Sequence, residues 1–342
     1  MRLLDQIAVA KTPLVVRQHC GTQFTLPGLQ DLTGALLAAP VRYVLDDVVA
    51  AFAAQTAFGD PDRFGHCIEL LRLPAARFWV EWCEHGRRAV MAQLGLTTAL
   101  AAATAGGRAG ALIESDDSGR RGTISFAWTT GPHDTEGTLA PLVVDFDLDD
   151  PDFRARKIPD AVTRGAEVNG APALTHFLRH VRFRLRCDWR DYYARTAPTP
   201  QAFTAALDAN IGQVVAAIPF LLAFCLGLSA RNALTLAPSA LDRLNKSRRQ
   251  HGRAPLLDHI EVTARFGGAR ASGGAASARA DARLHFVCGH LVRRGQQIFW
   301  RRPHLRGNAA RGAIIARNIQ VRSVPDTPID PRQASWPRTA HG

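Results

Sequence analysis

The sequence predicts an α+β fold, in which an N-terminal helical and antiparallel β region surrounds a buried central helix and leads to a small basic C-terminal β unit. Three observations predict this fold. Strand-like segments follow one another with short links between residues 77 and 148. Residues 211–230 form a twenty-residue stretch without charge. Basic residues are concentrated near the end of the 342-residue chain.

The N-terminal part combines helical and strand-like patterns. Residues 45–57 (LDDVVAAFAAQTA) place apolar side chains at helical spacing, with Asp46 and Asp47 where the helix dipole favours negative charge. Strands are predicted at 77–82 (RFWVEW), 111–114, 123–130 (TISFAWTT) and 142–148 (LVVDFDL). Because a turn-like run (SDDSGRRG) separates two of them, an antiparallel sheet is expected.

Helical patterns dominate from about residue 171 to residue 251. Thr199-Pro200 supplies an N-cap and a first-turn proline for a helix that runs to residue 229. A second helix is predicted to begin at Pro238-Ser239 and to carry LDRLNKSRRQ.

The uncharged stretch 211–230 has the length of a transmembrane segment. Pro219 and Gln213 interrupt it, and no second span accompanies it. We therefore predict a central buried helix and no membrane partner.

The chain divides at a low-complexity segment, GGARASGGAASARA. The predicted units are an α+β core domain at 1–266, a flexible Gly/Ala linker at 267–281, the basic β unit at 282–324 and a disordered, Pro-rich tail at 325–342.

The formal net charge of +12 comes from one segment. From Arg243 to Arg322 the chain has seventeen basic and three acidic residues, whereas residues 1–242 have 23 basic and 25 acidic residues. Only three of the 42 basic residues are lysine, as expected from a GC-rich genome, but codon bias does not concentrate charge. We therefore predict a polyanion-binding face, most simply for nucleic acid.

The predicted site combines arginines with an aromatic ring. Gly295 makes a tight turn, so that two arginine pairs would face each other across a hairpin, while Trp300 would stack on a base. In the alternative, Trp300 and Phe299 form the core of the unit. The predicted nucleic-acid-binding residues are Arg248, Arg249, Arg293, Arg294, Trp300, Arg301, Arg302, His304 and Arg306.

Two groups of potential metal ligands are present, although the pattern predicts no cofactor. Asp145, Asp147 and Asp149 share one face of a strand, where carboxylates bind Mg²⁺ or Ca²⁺ or simply balance nearby arginines. Cys288, His290 and His304 carry zinc-ligand chemistry, but strand alternation turns the preceding His285 away from Cys288 and His290. A metal-dependent nuclease that uses His290 and His304 is therefore an alternative function.

The six cysteines are scattered without a Cys-x-x-Cys pair, and Asp5 and Lys11 interrupt the first apolar run. Scattered thiols are typical of a reducing compartment, and the interrupted run does not resemble a secretory signal. A cytoplasmic location is therefore expected.

Five blocks occur in a recognisable order. They are Leu71, Leu73 and Pro74 followed by RFWVEW, then PLVVDFDLDD, AIPFLLAFCLGL, LNKSRRQHGRAPL and HFVCGHLVRRGQQIFWRRPHLRG. Over roughly residues 35–322 the chain resembles a widespread prophage and mobile-element family that includes the type V-A anti-CRISPR inhibitor of Cas effector biogenesis. The ending with Gly289-His290, then basic residues, Trp300 and His304, is the most specific part.

The resemblance implies a non-enzymatic accessory protein that suppresses a host defence effector. The implied partners are RNA, a host protein or a ribosome-bound nascent chain. Besides the nuclease, the second alternative function is a module that binds an acidic protein partner.

Overall fold

In the computed structural model, some parts of the chain are described with side chains and others by their backbone alone. The backbone alone is described for Ile68, Thr130, Glu136, Gln213, 163–164, 283–287, 304–306 and 308–314. Side chains are described for the other residues of 2–17, 22–59, 64–65, 67–84, 87, 107–130, 136–150, 153, 180–230, 233–264 and 290–301.

Helices are present in both halves of the chain. They are α1 (Leu3–Val9), α2 (Gln30–Ala38), α3 (Asp47–Gly59), a 3-10 turn (Ile68–Leu70), α4 (Cys187–Thr196), α5 (Pro200–Val214), α6 (Ala217–Ser229) and α7 (Asp242–Gln250).

Strands alternate with these helices along the chain. They are β1 (Leu14–Arg17), β2 (Gln23–Leu26), β3 (Val41–Leu45), β4 (Arg77–Cys83), β5 (Arg108–Ser115), β6 (Arg121–Thr130), β7 (Glu136–Asp147), β8 (Thr163–Arg164), β9 (Val181–Leu185), β10 (Leu234–Pro238), β11 (Ile260–Ala264), β12 (Arg283–Val287), β13 (His290–Arg294), β14 (Gln297–Arg301), β15 (His304–Arg306) and β16 (Asn308–Ile314).

A nine-stranded sheet with the order β10-β11-β3-β4-β5-β6-β7-β9-β8 organises the protein. The α+β class is confirmed. The antiparallel arrangement expected for the strands between residues 77 and 148 is confirmed from β4 to β7. The strands β3 and β11 were not predicted, and the pairs β11–β3 and β3–β4 are parallel. Helix α3 is part of the connection from β3 to β4, and such a crossover is what a parallel pair requires.

Both faces of this sheet are covered. Phe78, Val80 and Trp82 of β4 belong to a buried cluster that includes residues of α3 and α6. Trp79, between them on the strand, points to the opposite face and packs in a cluster with residues of α1 and α2. Gly110 makes room for that ring, since a Cβ there would lie 2.1 Å from Trp79.

The predicted helix ends are mostly confirmed. Asp46 Oδ1 accepts a hydrogen bond from Val49 N at 2.6 Å at the start of α3. Thr199 Oγ1 accepts one from Ala202 N at 3.1 Å at the start of α5. Helix α7 begins at Asp242 rather than at Ser239, because Pro238 belongs to β10. The strands β9 and β10 also interrupt the region predicted to be helical.

The uncharged stretch becomes the end of α5 and the whole of α6. Pro219 lies in the first turn of α6, where its missing N–H breaks no helical hydrogen bond. The segment Pro200–Ser229 is long and apolar enough to cross a membrane, but 82% of its most apolar 18-residue stretch is buried inside the protein. It is therefore a core element of a soluble-type α+β fold.

The predicted linker 267–281 and tail 325–342 lie outside the described residues, so the domain boundaries remain predictions. Within 282–324, β12 pairs with β15 and β16, and β13 pairs with β14.

Candidate polyanion-binding surfaces

Helix α7 is fixed to the protein by one buried side chain. Asn245 Nδ2 donates to Leu256 O at 3.0 Å, and Asn245 Oδ1 accepts from Leu256 N at 2.7 Å. The next backbone amide, of Leu257, donates to Asp5 Oδ1 of α1 at 3.0 Å. These bonds hold α7 and the loop after it against the N-terminal helix.

The exposed positions of α7 and of the loop after it carry a set of basic residues, which we call the α7 surface. Arg243, Lys246 and Arg249 follow one another at i, i+3 spacing, so they form one row along the helix. Arg253 lies in the loop beyond, after Gly252 with a φ of 65°. Within the part of the chain that the structure describes, these four side chains make no ion pair and no hydrogen bond.

Arg248 has a different role in the same helix. Its Nε donates to Ala254 O at 2.8 Å, which ties the loop to the last turn of α7. The guanidinium is therefore partly committed to the fold, whereas Arg249 remains exposed as predicted. The sequence analysis missed Arg243, Lys246 and Arg253, although the helical spacing of the first two was readable.

The hairpin β13–β14, residues 290–301, carries the other predicted basic residues. Its register sets Arg293 opposite Ile298, Arg294 opposite Gln297 and Arg301 opposite His290. The expected arrangement of arginine pairs facing each other across the hairpin is therefore wrong. The turn prediction holds, since Gly295 has a φ of 58°.

The inward face of the hairpin joins the main hydrophobic core. Leu291 and Ile298 are buried, and the half-buried Trp300 makes an edge-to-face contact with Phe52 of α3 at 4.6 Å between ring centroids. The ring thus takes the alternative role of a packing residue. Base stacking by Trp300 remains a prediction, and it would have to use the ring surface that this packing leaves accessible.

Arg293 lies on the same inward face and reaches a carboxylate. Its Nη1 donates to Glu69 Oε2 of the 3-10 turn at 3.0 Å, and its Nε donates to Gly295 O at 3.2 Å. Arg294 and Arg301 are exposed on the outward face. A phosphate would therefore compete with Glu69 for Arg293, but not for Arg294.

The remaining predicted site residues are either outside the described residues or described by their backbone alone. Arg302 and Cys288 lie outside the described residues. His304 and Arg306 belong to β15, where their backbones pair with Val287 and His285 of β12. His290 belongs to the separate β13–β14 sheet. The proposed nuclease pair is thus divided between two sheets.

The three carboxylates predicted to share a strand face each have an arginine partner, and Asp149 lies beyond the end of β7. Asp145 accepts two hydrogen bonds from Arg184, at 3.0 and 2.9 Å. Asp147 pairs with Arg121 at 3.0 Å, and Asp149 pairs with Arg120. Among the described residues no group of three or more His, Cys, Asp or Glu side chains is arranged to hold a metal ion.

The chain matches no family model, no curated protein and no solved structure.

Proposed function

We propose that this protein is a non-enzymatic nucleic-acid-binding protein that acts in the cytoplasm and engages phosphates through the α7 surface. The observation that supports this proposal is the exposed row of Arg243, Lys246 and Arg249 on a helix fixed by Asn245. Arginine and lysine side chains on a fixed support contact phosphates without sequence preference. Single-stranded RNA is the expected ligand.

Charge around α7 supports the same proposal. From Asp242 to Arg253 the chain has five basic residues and one acidic residue. Arg248 and Arg249 lie in the last helical turn, where the helix dipole favours positive charge, so the cationic state costs the helix nothing. The hairpin would add Arg294 and Arg301 as secondary contacts, and the sequence prediction adds Arg302.

The biological setting rests on the resemblance described above. A mobile-element accessory protein that suppresses a host defence effector would need to recognise a message or a ribosome-bound nascent chain. Both targets present RNA phosphates. We therefore propose that the α7 surface supplies affinity for RNA, while other parts of the protein select the target.

Salt titration of the full-length protein tests the proposal. Four phosphate contacts on single-stranded RNA give a slope of log affinity against log salt of about −2.8. The triple variant Arg243→Gln, Lys246→Gln, Arg249→Gln should flatten this slope by about 2.1. The matched control replaces Arg17, Arg72 and Arg195, three exposed arginines elsewhere, and removes the same charge.

Two outcomes would reject this site. Equal flattening by the control triple would mean that net charge, not the α7 surface, governs binding. If the folded protein binds no nucleic acid at about 50 mM salt, the function itself is wrong and an acidic protein partner is favoured. The non-enzymatic part is tested by incubating RNA and DNA with Mg²⁺, Mn²⁺ or Zn²⁺. Cleavage abolished by His290→Ala would establish the nuclease instead.

A further inference from the structure

A second group of arginines lies on β9 and at the residue directly after it, far from α7 in the sequence. Arg182, Arg184 and Arg186 alternate with Val181, Phe183 and Leu185, which are buried in the main core. Strand alternation therefore directs the three guanidinium groups to the opposite face of the sheet. Each of these arginines meets different surroundings there.

Two of the three are used by the fold. Arg184 makes the two-bond pair with Asp145 described above. Arg182 is buried, and its guanidinium lies over the ring of Phe153 at 4.0 Å from the centroid.

Arg186 differs because it is held in place by uncharged groups and makes no direct ion pair with a described carboxylate. Its Nε donates to Ala140 O at 3.2 Å, and its Nη2 donates to Ser125 Oγ at 2.9 Å. No carboxylate among the described residues lies within ion-pairing distance of Arg186. Burial lowers the pKa of Arg186, the negative charge of Asp31 opposes that shift, and the positive charge of Arg184 adds a smaller lowering.

Asp31 is itself engaged in the local structure. Its Oδ2 accepts from Gly28 N at 2.9 Å and from Gln30 Nε2 at 3.2 Å. It therefore neutralises Arg186 only in part.

The unused donors of Arg186 form a defined binding edge. A guanidinium has five N–H groups, and the two bonds above use one on Nε and one on Nη2. Both N–H groups of Nη1 and one of Nη2 have no partner among the described residues. Nη1 and Nη2 together are the end-on fork that matches two oxygens of a phosphate or carboxylate. The bonds to Ala140 O and Ser125 Oγ fix the plane of this fork before any ligand arrives.

We propose that Arg186 is the centre of a small-oxyanion site on the second face of the sheet, where its Nη1–Nη2 edge binds a phosphate or carboxylate group in bidentate fashion. The site uses none of the residues of the α7 surface, so it stands or falls independently of the proposed function. A bound anion would complete the neutralisation of this half-buried cation, which Asp31 provides only in part.

The test compares inorganic phosphate and acetate, each against sodium chloride at equal ionic strength, by the thermal midpoint of the full-length protein and by amide NMR titration. Phosphate, acetate or both should raise the midpoint of the wild-type protein, which identifies the oxyanion class. Arg186→Gln should abolish the rise. Arg186→Lys keeps the charge but loses the fork, so its affinity should fall at least tenfold. Arg195→Gln, an exposed arginine on α4, is the matched control and should respond as the wild type does.

The proposal is overturned if neither ion shifts the wild-type midpoint, or if Arg186→Gln or Arg186→Lys responds as strongly as the wild type. If circular dichroism shows that Arg186→Gln does not fold, Arg186→Lys alone decides. A tenfold loss in the folded Lys variant then supports the fork.

Discussion

Helix α7 and the β13–β14 hairpin both carry clustered basic residues, but the fold uses the two clusters differently. On α7 the attachment comes from Asn245 and from the bond of Arg248 to Ala254 O. The row Arg243, Lys246 and Arg249 therefore remains exposed. On the hairpin one whole face is used for packing, and Arg293 on that face pairs with Glu69. The number of arginines in a segment therefore does not tell how many of them the fold leaves exposed and able to contact a phosphate. What matters is how the segment is attached to the protein.

The largest effect is expected for Trp300→Ala in the hairpin. Removal of an indole packed on Phe52 should lower the free energy of unfolding by about 3 kcal/mol, as measured by denaturant titration. The control Arg301→Ala, on the outward face of the same strand, should change it by less than about 0.5 kcal/mol. If Trp300→Ala keeps its stability but loses about 1–3 kcal/mol of single-strand binding, the ring stacks on a base. The hairpin would then bind nucleic acid with the face that we assign to packing.

A smaller loss is expected for Asn245→Ala on α7. The variant leaves the N–H and C=O of Leu256 without partners, which should cost about 1–3 kcal/mol of stability in the same titration. RNA affinity should fall less than stability, because Arg253 N still donates to Arg248 O at 2.9 Å and keeps Arg253 beside the helix. Ser247→Ala, an exposed change on α7, serves as the control. An unchanged Asn245→Ala protein would show that α7 has another attachment.

One arginine from α7 and one from the hairpin should respond differently to the same substitution. Arg249→Gln should flatten the salt dependence of RNA binding by about 0.7, the share of one phosphate on a single strand. Arg293→Gln should leave the slope unchanged and lower stability by at most about 1 kcal/mol, since its pair with Glu69 is largely exposed. The opposite result would make the hairpin, and not α7, the phosphate-binding region.

The smallest effect is expected at Cys225 of α6, in the core that the hairpin helps to cover. Burial raises the pKa of this thiol from 9.0 to about 12, so native protein at pH 8 should leave it unalkylated while the exposed Cys187 reacts. Mass mapping of the labelled peptides measures this. Because the folded state keeps the proton that the unfolded thiol loses, the contribution to stability is full below pH 9 and is lost as the pH rises towards 12. Labelling of Cys225 as fast as Cys187 would contradict its burial.

Local patterns account for the parts of the fold that the sequence predicted. Alternation marked β4, β6 and β7, and the caps at Asp46 and Thr199 marked α3 and α5. The short strands β3 and β11 were missed, because five residues paired with distant strands carry little periodicity of their own. Their parallel pairing is a tertiary property.

The candidate site was less predictable than the fold, for a related reason. The charge excess pointed to the segment that carries the α7 surface, and Arg249 is exposed there. Whether an arginine is already paired depends on residues far away in the sequence. Glu69 lies 224 residues from Arg293, and Ser125 lies 61 residues from Arg186. The residues next to Arg293 and Arg186 in the sequence do not indicate either contact.

The packing of α6 has a consequence for how the chain folds during its synthesis. This apolar helix is completed at Ser229, but Leu291 and Ile298 of the same buried cluster come some seventy residues later. At about 5–20 residues per second, roughly four to fourteen seconds pass before that cover is translated. During this interval a growing chain presents apolar surface on α6 to chaperones and to neighbouring chains. Translation that stopped before the hairpin would make this exposure permanent, so shortened products should aggregate while the full chain stays dispersed.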